Sequence, residues 1–361
     1  VLVPLTAVTL LLTFWVETTL KEVRDPLYDE MLRAAEASAR GAQHLKTHRL
    51  ERGVFVDLVN DPAETALIGQ EYTQITTDRG YLDAKLASTD PNFAAVVVDL
   101  LRSIGVEAGD CVALAMTGSF PALNVSALAA VDVVGARPVT ITSVGASNFG
   151  ATEPFITWLD MERELVERGL LSTPSIAASI GGGNDSGRGL SPKGRQLLRD
   201  AVDRSGARRI DAANLEDSIR ERLRLYREGC GPGPVAAYVN IGGGVASLGH
   251  SLNAGLVPTG ATLRLPRRNY PQRGALIRLA AEGVPVIHLL NVRQLRDRHG
   301  LEPVRDAVPA PGTGEIFGEV RYDLPRAVIA TAVILGLLIA LFAFDRQTHR
   351  LGRRGPEDAT P

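Results

Sequence analysis

The chain of 361 residues has a formal net charge of -2, with 22% charged and 45% hydrophobic residues, so its apolar content can fill the core of one large or two ordinary domains. That balance excludes intrinsic disorder and provides no whole-chain basic field, so nucleic acid is not an expected partner. Two cysteines, Cys111 and Cys230, are too few for a disulfide scaffold or a cysteine zinc site; one extracytoplasmic disulfide stays open.

Val1 to Val16 is almost entirely apolar, and Ala327 to Phe344 is a charge-free apolar run. A helix rises ~1.5 Å per residue and needs about 20 apolar residues to cross ~30 Å of hydrocarbon. The second run meets this with its flanks, and the first is marginal. No small-residue cleavage pattern follows the first run before Glu17, which favours an uncleaved anchor over a signal peptide. Arg346, Arg350, Arg353 and Arg354 follow the second run, and an arginine-rich flank favours the cytoplasmic side. The expectation is two transmembrane helices in the cell membrane, both termini cytoplasmic, and an extracytoplasmic main domain.

The predicted divisions are an anchor at 1–20, a juxtamembrane helical linker at 21–60, an α/β domain at 61–308 and a Pro/Gly linker at 309–326. A transmembrane helix at 327–344 and a basic tail at 345–361 complete the chain. In the linker, Met31, Ala35, Ala39, Ala42 and Leu45 have helical spacing. Further on, Asp90 with Pro91 opens a helix over Phe93 to Ile104, and Gly105 suits its left-handed end. Cys111 to Met116 reads as a strand, Pro121 to Val134 as a helix closed by Gly135, and Pro138 to Ser143 as the next strand. Such continuous apolar strands belong to parallel sheets buried on both faces.

Downstream the pattern repeats. Helices are predicted over Thr157 to Arg168, from the Ser191 cap to Ser205, and over Leu215 to Glu228, Gly274 to Glu282 and Val292 to His299. Strands are predicted over Val235 to Ile241 and Val284 to Leu290. The fold class is α/β, a mainly parallel open sheet with helices on both faces.

Ligands in such sheets bind beyond the strands' carboxyl ends. None of the loops there carries a Walker motif or a dinucleotide-binding glycine pattern, no metal-ligand pairing is evident, and no cofactor is expected. Ser119, between a strand and a helix, is a candidate nucleophile although the G-x-S-x-G elbow is missing; the alternative is a helix N-cap. His288 ends a strand and is a candidate general base, or else a satisfied structural histidine. Asp185, in a glycine-rich loop, is a candidate to orient that histidine or bind a cation, the alternative being that it stabilises its own turn. The lysines are only Lys21, Lys46, Lys85 and Lys193, so Lys85 stands out as a carboxylate grip in an arginine-preferring chain. Arg267, Arg268 and Arg273 form the centre of a basic stretch that suits a polyanion or a solvated loop.

Several ordered segments together carry a resemblance. They are T-T-D-R-G-Y-L-D-A-K from Thr76, G-S-F-P-A-L-N from Gly118, S-V-G-A-S-N-F-G from Ser143, T-W-L-D-M-E from Thr157, Y-V-N-I-G-G-G from Tyr238 and V-P-V-I-H-L-L-N from Val284. The stretch from Glu71 to Gly314 resembles the bacterial poly-γ-glutamate system protein family. The resemblance implies a role in capsule or released-polymer production, beside the membrane ligase that polymerises glutamate through its γ-carboxyl. It carries over no established catalytic residues. It does make a ligand site of the matched loops, through Gly118, Asn124, Ser147, Asn148, Asn240, Gly242, Gly243 and Gly244. The leading expectation is an accessory protein that binds poly-γ-glutamate or scaffolds its synthase complex. The competing one is a hydrolase or transferase that trims, releases or anchors the polymer, and an envelope scaffold without ligand is the third.

Overall fold

The apolar runs predicted as strands form the middle of one seven-stranded sheet in the computed structural model, which describes residues 2–352. The strands are β1 (Lys21–Arg24), β2 (Thr76–Asp78), β3 (Cys111–Thr117), β4 (Arg137–Ser143), β5 (Ala146–Ser147), β6 (Ala177–Ser179), β7 (Arg208–Arg209), β8 (Val235–Ile241), β9 (Gly260–Thr262), β10 (Val286–Leu289) and β11 (Gly318–Arg321). The helices are α1 (Leu2–Glu17), α2 (Tyr28–Glu51), α3 (Leu82–Ser88), α4 (Phe93–Ser103), α5 (Pro121–Val134), α6 (Trp158–Glu167), α7 (Pro192–Ser205), α8 (Leu215–Cys230), α9 (Val245–Leu248), α10 (Asn253–Leu256), α11 (Ala275–Ala281), α12 (Val292–Arg298) and α13 (Leu324–Gly352).

The large sheet has the order β7-β6-β4-β3-β8-β10-β9. Its pairings are parallel except where β9 runs antiparallel to β10 at the edge. The parallel β3–β4 pair expected from the β-α-β pattern is present, with Cys111 opposite Arg137 and Thr117 opposite Ser143. The outer strands β6, β7 and β9 are only two or three residues long, too short to show a periodic pattern in sequence.

All of β3 is buried, and its alternating side chains feed two layers. Val112, Leu114 and Met116 join α2, α4 and α5 on one face. Cys111, Ala113 and Ala115 face Ile219 and Tyr226 of α8 and Leu276 of α11 on the other. Helix α5 lies between the sheet and the α2–α4 pair, which explains an apolar sequence around nearly its whole circumference. Gly135 ends it at φ 76, a left-handed conformation that costs glycine least. The helix assigned by sequence to a juxtamembrane linker, α2, packs here too, burying Met31, Ala35 and Leu45. Asp90 is buried and accepts the Asn92 N–H at 2.9 Å, so it shapes the turn before α4.

The chain divides into two compact units: Pro26–Phe317, which holds the large sheet, and the described parts of Val1–Asp25 with Gly318–Pro361. In the second unit β1 pairs antiparallel with β11, and Lys21 bridges Asp323 at 2.8 Å. Here the expectation of two membrane-spanning helices is corrected. Among the described residues only α13 contains a stretch long and apolar enough to cross a membrane, Leu324–Arg346, 23 residues with mean hydropathy 2.8. Helix α1 has 16 residues, a rise of ~24 Å against the ~30 Å of a hydrocarbon core. Arg353 and Arg354 of the predicted basic tail lie outside the described residues.

The strand order positions the site. From the central β3 the chain steps outward through β4, β6 and β7, then returns through α8 to lay β8 on the other side of β3. The loops after β3 and β8 therefore leave a switch point, where a crevice forms at the carboxyl ends of parallel strands.

Candidate functional site

At this switch point lies a cleft of about 1130 Å³, walled by the loops after β3, β4, β8 and β10, by the Gly182–Gly189 loop and by α3. Close backbone approach holds its back wall. A Cβ on Gly242, at φ 91, would stand 2.3 Å from Thr117 Oγ1, and one on Gly118 would stand 2.3 Å from the Val144 carbonyl. Neither loop can accept a side chain at these points without moving. The amides of Gly243 and Gly244, both on the cleft, have no hydrogen-bond partner among the described residues. Asn240 Nδ2 donates to the Gly242 carbonyl at 2.8 Å and to His288 Nδ1 at 3.0 Å, which ties this turn to β10.

Lys85 reaches the cleft from α3 although only 2% of it is exposed. Its Nζ donates to Ser147 Oγ at 2.9 Å and to the Ser119 carbonyl, and sits 3.8 Å from the centre of the Phe120 ring. No carboxylate pairs with it among the described residues. Burial pushes the ammonium down to about 7, since little around it replaces the lost water. Ser119, offered by sequence as a helix cap or nucleophile, does not cap α5, which has no side-chain cap, and accepts the Ser147 N–H at 3.0 Å. Asn148 fastens the same loop, accepting the Gly80 N–H at 3.0 Å and donating to the Glu71 carbonyl at 2.7 Å. Asn124 is buried and donates to the Thr117 carbonyl at 2.9 Å.

The lysine's burial leads to an expected pH dependence. Its folded pKa lies below the ordinary lysine value, so between about 7 and 10.5 the unfolded chain holds the proton that the folded chain has lost. Stability from this group therefore rises with pH through that window, and is lowest below it. Relative to Lys85→Met, the wild type should gain about 2 kcal/mol between pH 6 and pH 10, a discounted figure from ~1.4 kcal/mol per unit. Thermal unfolding of both proteins across pH checks this, and parallel profiles would refute it.

The three catalytic candidates from sequence share no hydrogen bond among the described residues. Asp185 faces the cleft floor but is held by Arg222, with Nη2 to Oδ2 at 3.0 Å, and by the hydroxyls of Ser179 at 2.7 Å and Ser218 at 2.6 Å. His288 lies behind the cleft, buried, and burial pushes its imidazole down to about 4. It is neutral at pH 7. Of the basic stretch, Arg268 lines the cleft while Arg267 and Arg273 do not.

Sequence reasoning missed most of the cations. Arg79, Arg188, Arg293 and Arg298 also line the cleft. Arg293 pairs with Asp83 at 2.7 Å. Arg268 and Arg298 donate only to the Leu256 and Thr259 carbonyls, at 2.9 and 3.1 Å. Arg79 and Arg188 are exposed, and none of these last four guanidiniums has a carboxylate partner among the described residues. Their scattered positions in sequence hid them; only the glycine-rich loop before Arg188 marked a candidate binding loop.

Comparison of the chain with protein-family profiles, with curated proteins and with solved structures finds no match.

Proposed function

We propose that this chain is a membrane-anchored accessory protein of poly-γ-glutamate synthesis or export, and that its cleft grips the polymer's carboxylates. The observation that carries this reading is the set of four arginines, Arg79, Arg188, Arg268 and Arg298, on one cleft without carboxylate partners among the described residues. Guanidinium recognises carboxylate through paired, charge-assisted hydrogen bonds, and a γ-linked glutamate chain offers one free carboxylate per residue. The cleft exceeds the ~300–1,000 Å³ of ordinary small-ligand sites, which suits several units of an extended polymer. The resemblance carried by the loops around Gly118, Ser147 and Gly242 supplies the identity of the polymer.

In this proposal the main domain is extracytoplasmic and the chain beyond α13 is cytoplasmic. Helix α13 supports the anchoring, with exposed Ile329, Ile339 and Phe342 on its surface. The disulfide between Cys111 and Cys230 supports an oxidising compartment.

The test is binding of poly-γ-glutamate to the full chain in detergent as salt is raised. Affinity should fall with ionic strength, because exposed charges are screened over about 8 Å at physiological salt. Replacing Arg188, Arg268 and Arg298 together by Gln should weaken binding at least roughly tenfold, by loss of several charge-assisted bonds. Replacing Arg267 and Arg273, which are off the cleft, should change little. Equal affinity and salt response in the first variant and the wild type would reject the cleft as the polymer site.

A further inference from the structure

We propose that Ser147 is the nucleophile of a serine–lysine acyl-transfer site, with Lys85 as its base and the amide or ester carbonyls of a carboxylate-rich polymer as its substrate class. The substrate rests on the function proposed above; the nucleophile rests on geometry alone. Lys85 Nζ lies 2.9 Å from Ser147 Oγ, on the cleft wall. A buried lysine with no carboxylate partner is costly to keep charged, and such a group is poised to work as a neutral amine.

The loop around Ser147 is held in place for this role. Its N–H is fixed to Ser119 Oγ, the next residue is stapled through both ends of its amide, and Phe149 adopts φ 63, a left-handed conformation that bulky residues rarely take. Backbone strain of this kind persists only where its surroundings enforce it. The charged groups that line the cleft from the packed elements are Asp78 on β2, the register partner of Ser147, Arg79 beside it, and Asp83 on α3, paired with Arg293 of α12. None contacts Nζ; its partners from the other loops are Ser119, Phe120 and Ser147, which do not titrate near neutrality.

The reaction balances with one co-reactant, water or an acceptor amine. The neutral Lys85 amine takes the Ser147 hydroxyl proton as Oγ bonds to the carbonyl carbon, and the carbonyl electron pair moves to oxygen. The Gly243 and Gly244 amides, without partners among the described residues, and the Ser119 hydroxyl proton line the same cleft and are the donors proposed for that oxyanion. Collapse breaks the bond to the leaving amine or alcohol, which takes the proton from the Lys85 ammonium. Water, or an acceptor amine, then gives its proton to Lys85, attacks the acyl-serine and releases Ser147 with its own proton restored.

The test uses the full chain in detergent and a fluorophosphonate probe, with the modified residue read by peptide mass. Labelling should fall on Ser147, at a rate that rises with pH through about 7. It should drop by roughly 100-fold or more in Lys85→Met, and equally in Lys85→Arg, which keeps the positive charge but cannot act as a base. Near-UV circular dichroism and thermal unfolding verify that both variants are folded, and Ser147→Cys, labelled by iodoacetamide with the same pH profile, provides an independent reading of the base. Labelling of Ser119 instead, a rate unaffected by the folded Lys85 variants, or no labelling of wild type would overturn the assignment. Labelling of Ser147 in a chain that fails to bind poly-γ-glutamate would retain the pair and reject the polymer.

Discussion

Arg222→Met should lower folding stability by about 3–5 kcal/mol, the cost of leaving a buried charge without its partner. Arg222 is 1% exposed, and its Nη2 donates to Asp185, to Ser143 Oγ at 2.9 Å and to Ser179 Oγ at 2.7 Å. These residues come from the ends of β4 and β6, from α8 and from the Gly182–Gly189 loop, so one guanidinium joins four segments under the cleft floor. Methionine fills much of the volume but donates nothing, and the Asp185 carboxylate keeps only hydroxyl donors. Urea unfolding of the full chain in detergent measures the loss as a fall in midpoint at constant slope. Adding Asp185→Asn should recover part of it, because the residual penalty is that of the stranded carboxylate and the two changes are coupled. A loss below about 1 kcal/mol for the single variant would show that the pair contributes nothing net, as the desolvation cost of buried ion pairs permits. The same variant should loosen the loop that presents Arg188, so polymer binding should weaken as well.

Breaking the Cys111–Cys230 bond is expected to destabilise the protein by about 2–5 kcal/mol. The bond joins the start of β3 to the end of α8, with the two Cα atoms 5.5 Å apart in space and the two residues 119 positions apart in sequence. Closing so long a loop restricts the unfolded chain strongly, and the chain-entropy account places its contribution toward the upper end of that range. Cys111→Ala with Cys230→Ala, unfolded in parallel with the wild type, measures it. Because both sulfurs are buried against the α8 side of the sheet, reduction should be slow in the folded state and fast once urea opens it. Equal stability of the variant and the wild type would refute the contribution.

The local grammar of the fold was legible. Ser191 caps α7 by accepting the Gly194 N–H, and Gly135 ends α5 in a left-handed conformation. Each of these effects acts within one helical turn, so neighbouring letters suffice to read it. The strands Cys111–Thr117 and Val235–Ile241 were legible because burial on both faces demands an unbroken apolar run. The first terminal run misled for the opposite reason: apolar composition marks preference for a nonpolar environment, whereas spanning also requires length, and Leu2–Glu17 is short of it.

The site was legible only in parts. Lys85 stood out by residue type, and Ser119 and Ser147 by the loops that carry them, but nothing in their sequence neighbourhoods pairs them. Lys85 and Ser147 stand 62 positions apart, Arg222 and Asp185 37. The chain's amino-acid order by itself determined the longer helices and strands, the α/β class and the apolar C-terminal segment, all of which follow from local periodicity, capping or composition, while the bond between Cys111 and Cys230 needed the fold. Only the tertiary structure decided that β8 returns beside β3, that the loops after them open one cleft, that scattered arginines face it, and that a lysine lies buried against a serine hydroxyl. Those contacts depend on strand order, which is chosen by packing between distant segments and has no signature within any one of them.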